Sequence, residues 1–126
     1  MGGGRAGRAW RDEDGRVSIE VDLGELDGAV AARTGPAYLV TVRDRRPHVV
    51  QVPVRCEAGV LEVPAGRRSA LNLADHPDVT VLWPTDGLDP RHSLIVDGTA
   101  RADGDTITVT PTRAVLHRSR RGPART

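Results

Sequence analysis

Val60-Leu-Glu-Val-Pro-Ala-Gly-Arg-Arg-Ser-Ala-Leu-Asn-Leu-Ala-Asp-His-Pro-Asp-Val-Thr-Val-Leu-Trp83 is the stretch that decides the fold. It reads as a short strand, a Gly66-Arg67-Arg68-Ser69 turn, one amphipathic helix and a second strand. Ala70, Leu71 and Ala74 give the helix its expected buried face, and His76-Pro77 stops it, because the residue before proline is pushed out of helical geometry. The turn carries the chemical interest. Gly66 lets the backbone come close to a partner, and the first amides of the helix lack acceptors inside it. Arg67 and Arg68 add full positive charge, and Ser69 adds a hydroxyl. These residues suit a phosphate; two arginines in a turn can equally be solvated, and Ser69 can serve as a helix-start residue.

Composition agrees with a strand-rich domain. The 126 residues are 38% apolar, chiefly Val, Leu, Ile and Ala, with Trp10, Tyr38 and Trp83 as the aromatics. A core of β-branched and small residues favours sheet over a helical bundle, and this length is most simply one domain. The net charge of +1 is too mild to imply a polyanion partner. All eighteen cations are arginine, the better planar ligand for phosphate. Cys56 is alone, so no intrachain disulfide forms. His48, His76, His92 and His117 lack metal-ligand spacing, although His92 sits beside Ser93 where it could touch a ligand. No run approaches the ~20 apolar residues that span a bilayer, and no signal-peptide segment is present, so the expected location is the cytoplasm.

Taken in order, residues 1–16 read as a flexible N-terminal arm, 17–118 as the barrel domain and 119–126 as a flexible Arg-rich tail. Val17, Ile19 and Val21 alternate as a strand. Asp22 stands three residues before Glu25 like a capping box, and the spacing of Leu23, Leu26 and Val30 predicts a helix over 23–33. Residues 37–43 and 47–55 form a hairpin about Asp44-Arg45-Arg46. Pro53 cannot donate to a ladder, so the second strand is an edge or is interrupted there. Residues 93–101 make a strand with Gly98 at a bulge, and Asp103-Gly104-Asp105 turns it into Thr106–Thr110. Pro111 bends that strand, which resumes over 114–117. About seven strands in hairpins with two short helices give a mainly β, antiparallel barrel, whose closure removes exposed edges.

This order of pieces resembles the pyridoxamine 5'-phosphate oxidase-like, FMN-binding split β-barrel superfamily over roughly 26–118. The carriers are residues 37–42 leading to Arg46-Pro-His-Val-Val50, then Gly66 to Trp83, then Ser93-Leu-Ile-Val-Asp-Gly-Thr-Ala100. The resemblance implies a homodimer with FMN in clefts between two barrels. It places Val50, Gln51, Val52 and Pro53 beside the isoalloxazine ring, largely through backbone groups. It places Arg67, Arg68 and Ser69 on the phosphate, and Ser93 on the ring or ribityl chain. The implied activity is a flavin-dependent oxidoreductase acting on a small molecule. The chain departs from the oxidase itself: it is shorter and lacks the substrate-binding C-terminal segment, while Gln51, Pro53 and Arg55 stand where the oxidase has other residues. Pyridoxamine phosphate is therefore not the expected substrate. The alternatives are a deazaflavin, coenzyme F-420, and a cofactor-free structural or regulatory dimer. Three aromatics are too few for base stacking by a single-strand binder, and no acid–base pair or nucleophile stands out. A flavin carries its own redox chemistry and needs none.

Overall fold

The computed structural model describes residues 9–11 and 17–118. Nine strands, β1 (Ala9–Arg11), β2 (Val17–Val21), β3 (Ala37–Arg43), β4 (Arg46–Val52), β5 (Arg55–Glu57), β6 (Val60–Pro64), β7 (Asp78–Trp83), β8 (Ser93–Asp103) and β9 (Thr106–Arg118), accompany two helices, α1 (Leu26–Ala31) and α2 (Arg67–Asp75). All pairings are antiparallel. The order is β1-β2-β9-β8-β7-β3-β4, and β5–β6 joins through a β6–β9 ladder. This is the mainly β split barrel that the sequence implies.

The turns follow from local chemistry. Asp44 and Arg45 both take positive φ, as a two-residue turn between paired Arg43 and Arg46 demands. The Asp27 carboxylate of α1 accepts Ala58 N–H at 2.9 Å and Gly59 N–H at 2.8 Å, pinning the β5–β6 turn to the helix. Asp22 caps the helical entry through Gly24 N–H, but residues 23–25 form a 3-10 turn before α1, which ends at Ala31, two residues short of the expected end.

Burial alternates along β3, β6, β7 and the first parts of β8 and β9, and Leu39, Leu61, Val81, Leu94 and Ile107 of the inward set are 0% exposed. Helix α2 packs against β3 and β8. Backbone bonds tie its two flanks to that side: Ala65 N–H to Asp105 O at 2.8 Å and Ala100 N–H to Pro77 O at 2.8 Å.

The barrel has a gap. β4 pairs with β3 and β5 pairs with β6, but no ladder among the described residues joins β4 to β5 or β6. The interruption falls at Pro53-Val54, where the sequence places it. Two expectations change. Ala9–Arg11, inside the expected flexible arm, is a strand on β2; the rest of that arm and the tail 119–126 lie outside the described residues. β9 runs unbroken through Pro111, because that proline sits at a bulge opposite Gly98.

Candidate functional site

At the gap, Pro53, Val54 and Arg55 from one edge meet Glu62, Val63 and Pro64 of β6 and the Asp105-Thr106 corner around a cavity of about 320 Å³. Gly66 follows two residues after Pro64 and caps α2 with extended backbone, making no side-chain bond. The cavity's lining includes neither a β4 residue nor Arg67 and Arg68, which follow Pro64 by three and four positions. Arg67 and Arg68 are exposed, and neither has an ion-pair partner among the described residues. Two unneutralised guanidinium groups at a helix N-terminus suit an anionic group.

The other expected contacts divide between the two faces of the sheet. Val50 is half-buried and Val52 is 8% exposed, so these side chains belong to the barrel interior, leaving the strand's backbone at the edge. Gln51 and Pro53 are exposed. Ser93 is half-buried and stands opposite His117 at the far side of β7 and β3. Three strand spacings of ~4.8 Å put it roughly 14 Å from β4 along the sheet. Gln51 and Ser93 share the outer face, and between them lie Tyr38, Leu82 and Ile95 in one row, with Val49 56% exposed alongside.

The roll of α2 differs from the expectation. Its buried residues are Ser69, Asn72 and Leu73, not Ala70, Leu71 and Ala74. Ala74 is exposed and Leu71 is 56% exposed. Leu73 packs into the core on this face, beside a polar contact invisible to hydrophobic periodicity: Asn72 Nδ2 donates to Thr41 Oγ1 of β3 at 3.0 Å.

Sequence reasoning also missed Arg33, which organises the β7–β8 loop leading into Ser93. Its side chain is 4% exposed. It donates to Pro84 O at 2.9 Å and to His92 O at 2.8 Å, and lies 3.7 Å from Asp86 and 3.6 Å from Asp89. Asp86 in turn accepts the backbone N–H groups of Thr34, Leu88 and Asp89. The Thr34 amide first, then those of Asp89 and Leu88 and the Arg33 charge, hold its carboxyl well below the usual carboxylate range.

That depression has a sign. A carboxylate favoured in the folded state contributes stability above its unfolded pKa, and the contribution fades as pH falls toward the folded pKa. Asp86→Asn is therefore expected to be less stable than the parent at neutral pH, with the difference shrinking below about pH 4. Chemical denaturation at a series of pH values measures this, and a difference independent of pH would contradict it.

Cys56 is held in the thiol form. Burial first, then its hydrogen bond to Asp27 Oδ1 at 3.1 Å, pushes the thiol up to about 12.

No protein-family model matches the chain. An uncharacterised Mycobacterium bovis protein is 45% identical over 119 residues, covering 79% of this chain and 81% of the relative. A Mycobacterium tuberculosis protein matches with the same figures. Among solved structures, a Listeria innocua protein assigned as a pyridoxamine 5'-phosphate oxidase superposes with a TM-score of 0.59 at 16% identity, covering 75% of this chain and 98% of its own. A Mycobacterium smegmatis FAD binding protein gives 0.57 at 17% identity, covering 82% and 99%. An F420 reductase gives 0.51 at 17% identity, covering 73% and 92%. At these identities the superpositions speak for the fold.

Proposed function

We infer that this chain, which belongs to one family with its mycobacterial relatives and has the split β-barrel fold of the pyridoxamine 5'-phosphate oxidase-like superfamily, binds a flavin-type cofactor. FMN is the first candidate. The observation that supports the reading is the exposed, unpaired Arg67-Arg68 at the start of α2, which follows directly in the chain on Pro64 of the cavity wall. Arg67 and Arg68 would hold the phosphate, and the backbone of residues 50–53 would lie along the ring. Ser69 is turned inward, 2% exposed, so it would act through its backbone N–H in the first turn of α2. When bound, the flavin supplies hydride or electron transfer, and the protein's part is to bind, orient and shield it. On this reading the protein is an oxidoreductase for a small molecule.

The outer face from Gln51 to Ser93 supports a homodimer, because a row of half-buried apolar residues with an exposed Val49 suits burial against a second copy. In that arrangement Ser93, remote from β4 in its own subunit, could serve the partner's cofactor. A deazaflavin is the second reading, favoured by the F420 reductase among the structural neighbours.

Titration with FMN, FAD and coenzyme F-420, with mass spectrometry of ligand from protein made in its native host, tests the reading. Binding of none of them would end it, and a monomer mass by light scattering would remove the dimer. Charge-assisted bonds contribute roughly 1.5–3 kcal/mol each. Arg67→Ala/Arg68→Ala is thus expected to weaken FMN by about 100-fold or more and riboflavin by only a few-fold. Equal losses for both ligands would reject the phosphate assignment.

A further inference from the structure

Helix α2 lies in a roll that hydrophobicity alone does not select. Its buried face holds Ser69 and Asn72 with Leu73, while Leu71 stands 56% exposed. Successive residues step about 100° around a helix, so Arg67 and Leu71, four apart, share the outward face. Turning the helix to bury Leu71 and release Asn72 would carry Arg67 inward with the leucine. The observed roll has visible costs: Asn72 is 1% exposed and its Oδ1 has no hydrogen-bond partner. Two contacts hold it: Leu73, 6% exposed in the core, and the bond from Asn72 Nδ2 to Thr41 Oγ1, a hydroxyl on a residue of 0% exposure. His48 Nδ1, 3.5 Å from the same hydroxyl, extends the contact to β4, the strand of the proposed ring site.

We propose that Asn72 and Thr41 are positioning residues for the arginine turn: their buried hydrogen bond fixes the roll of α2 that keeps Arg67 outward and Arg68 on the adjoining flank, and so sets the preference for a phosphorylated cofactor. Local rules are broken here together, a leucine outside and an unsatisfied amide inside, which is the pattern expected where function constrains packing. The inference rests on the reading of Arg67 and Arg68 given above.

Thr41→Val removes the acceptor without altering the helix. The Asn72 amide is left wholly unpaired, and the response that solvates it rolls Leu71 inward in exchange for Leu73, one leucine for the other. One misplaced arginine contact corresponds to about a 10-fold loss in the preference for FMN over riboflavin. Thr41→Val/Asn72→Leu is expected to restore that preference, because a leucine at 72 holds the original roll by apolar burial. A soluble paramagnetic probe reads the roll without any cofactor: the Leu71 methyls should be shielded in Thr41→Val and exposed again in the double variant. Should Thr41→Val fail to fold, Asn72→Ala breaks the same bond from the helix side and is expected to lose the preference equally. The inference is overturned if the single variants keep the parent preference with Leu71 exposed, or if the double variant recovers neither. A parent protein that prefers neither ligand overturns the phosphate reading and this inference with it. Loss of preference in Arg67→Ala/Arg68→Ala alone overturns only the role of Asn72 and Thr41.

Discussion

Arg33→Met is expected to cost about 3 kcal/mol of folding stability, near the low end for breaking a buried ion pair, because one of its carboxylate partners is partly solvated. The side chain is 4% exposed and sits between Asp86, at 5%, and Asp89, at 33%. Methionine fills a similar volume but offers no donors. Pro84 O and His92 O lose their guanidinium bonds, and two carboxylates face each other without a counter-charge. The bonds join the end of α1 to the β7–β8 loop, so the loop should loosen before the barrel melts. Thermal unfolding should shift by roughly 10 °C for a domain of this size. Arg33→Lys keeps the charge, yet a single ammonium cannot reproduce the guanidinium fork, and an intermediate loss is expected. Adding Asp86→Asn to Arg33→Met should recover part of the loss, because it removes one of the stranded charges. A cost below about 1 kcal/mol would mean that this cluster behaves as a surface ion pair and not as a buried one.

Arg33 also shows where sequence reading stops. Its partners lie 51 to 59 positions away, and no local pattern announces them. Asp86 and Asp89 are visible as turn residues, but nothing in their spacing names the cation between them. The hairpins were legible because their signals are local: apolar alternation, Asp44-Arg45-Arg46, and Asp103-Gly104-Asp105. Pro53 was legible as an interruption for the same reason, since a missing N–H acts at its own position. Helix α2 was placed correctly in sequence but rolled wrongly. Periodicity ranks faces by hydrophobicity and cannot foresee that a hydroxyl on β3 waits for an amide on the helix. The candidate site thus divides in the same way: the turn that carries Arg67 and Arg68 could be read from the chain, whereas the bond proposed to orient it could not. Nor could periodicity alone place Ser93 three strands from Val50; that takes strand order.

Gly98→Ala should be the most damaging glycine substitution among the described residues, at about 3 kcal/mol, the upper end for overpacking. A methyl there would stand 2.4 Å from Thr110 O and 3.0 Å from Pro111 Cα. Both are backbone atoms, so no rotamer change relieves the contact, and the β8–β9 ladder itself must open. The register explains the crowding. Asp97 pairs with Arg113 and Gly98 with Pro111, so Thr112 is the extra residue of a bulge, its hydroxyl donating to Asp97 O at 3.2 Å. The bulge bends β9 between a first half that pairs with β6 and a second half that pairs with β2. Disturbing it should therefore be felt first along β6, the strand that feeds Pro64 and the arginine turn. Amide exchange is expected to speed up at Leu61, Val63 and Val109 while the β3–β4 hairpin keeps its protection. Gly28→Ala supplies the opposite sign, since nothing lies within 4 Å of the added methyl and alanine favours the helix by roughly 0.5–1 kcal/mol. Equal effects at the two positions would show that conformational freedom, and not the close approach of two strands, governs Gly98. Protection lost evenly across every strand would show that the bulge does not set how β6 docks.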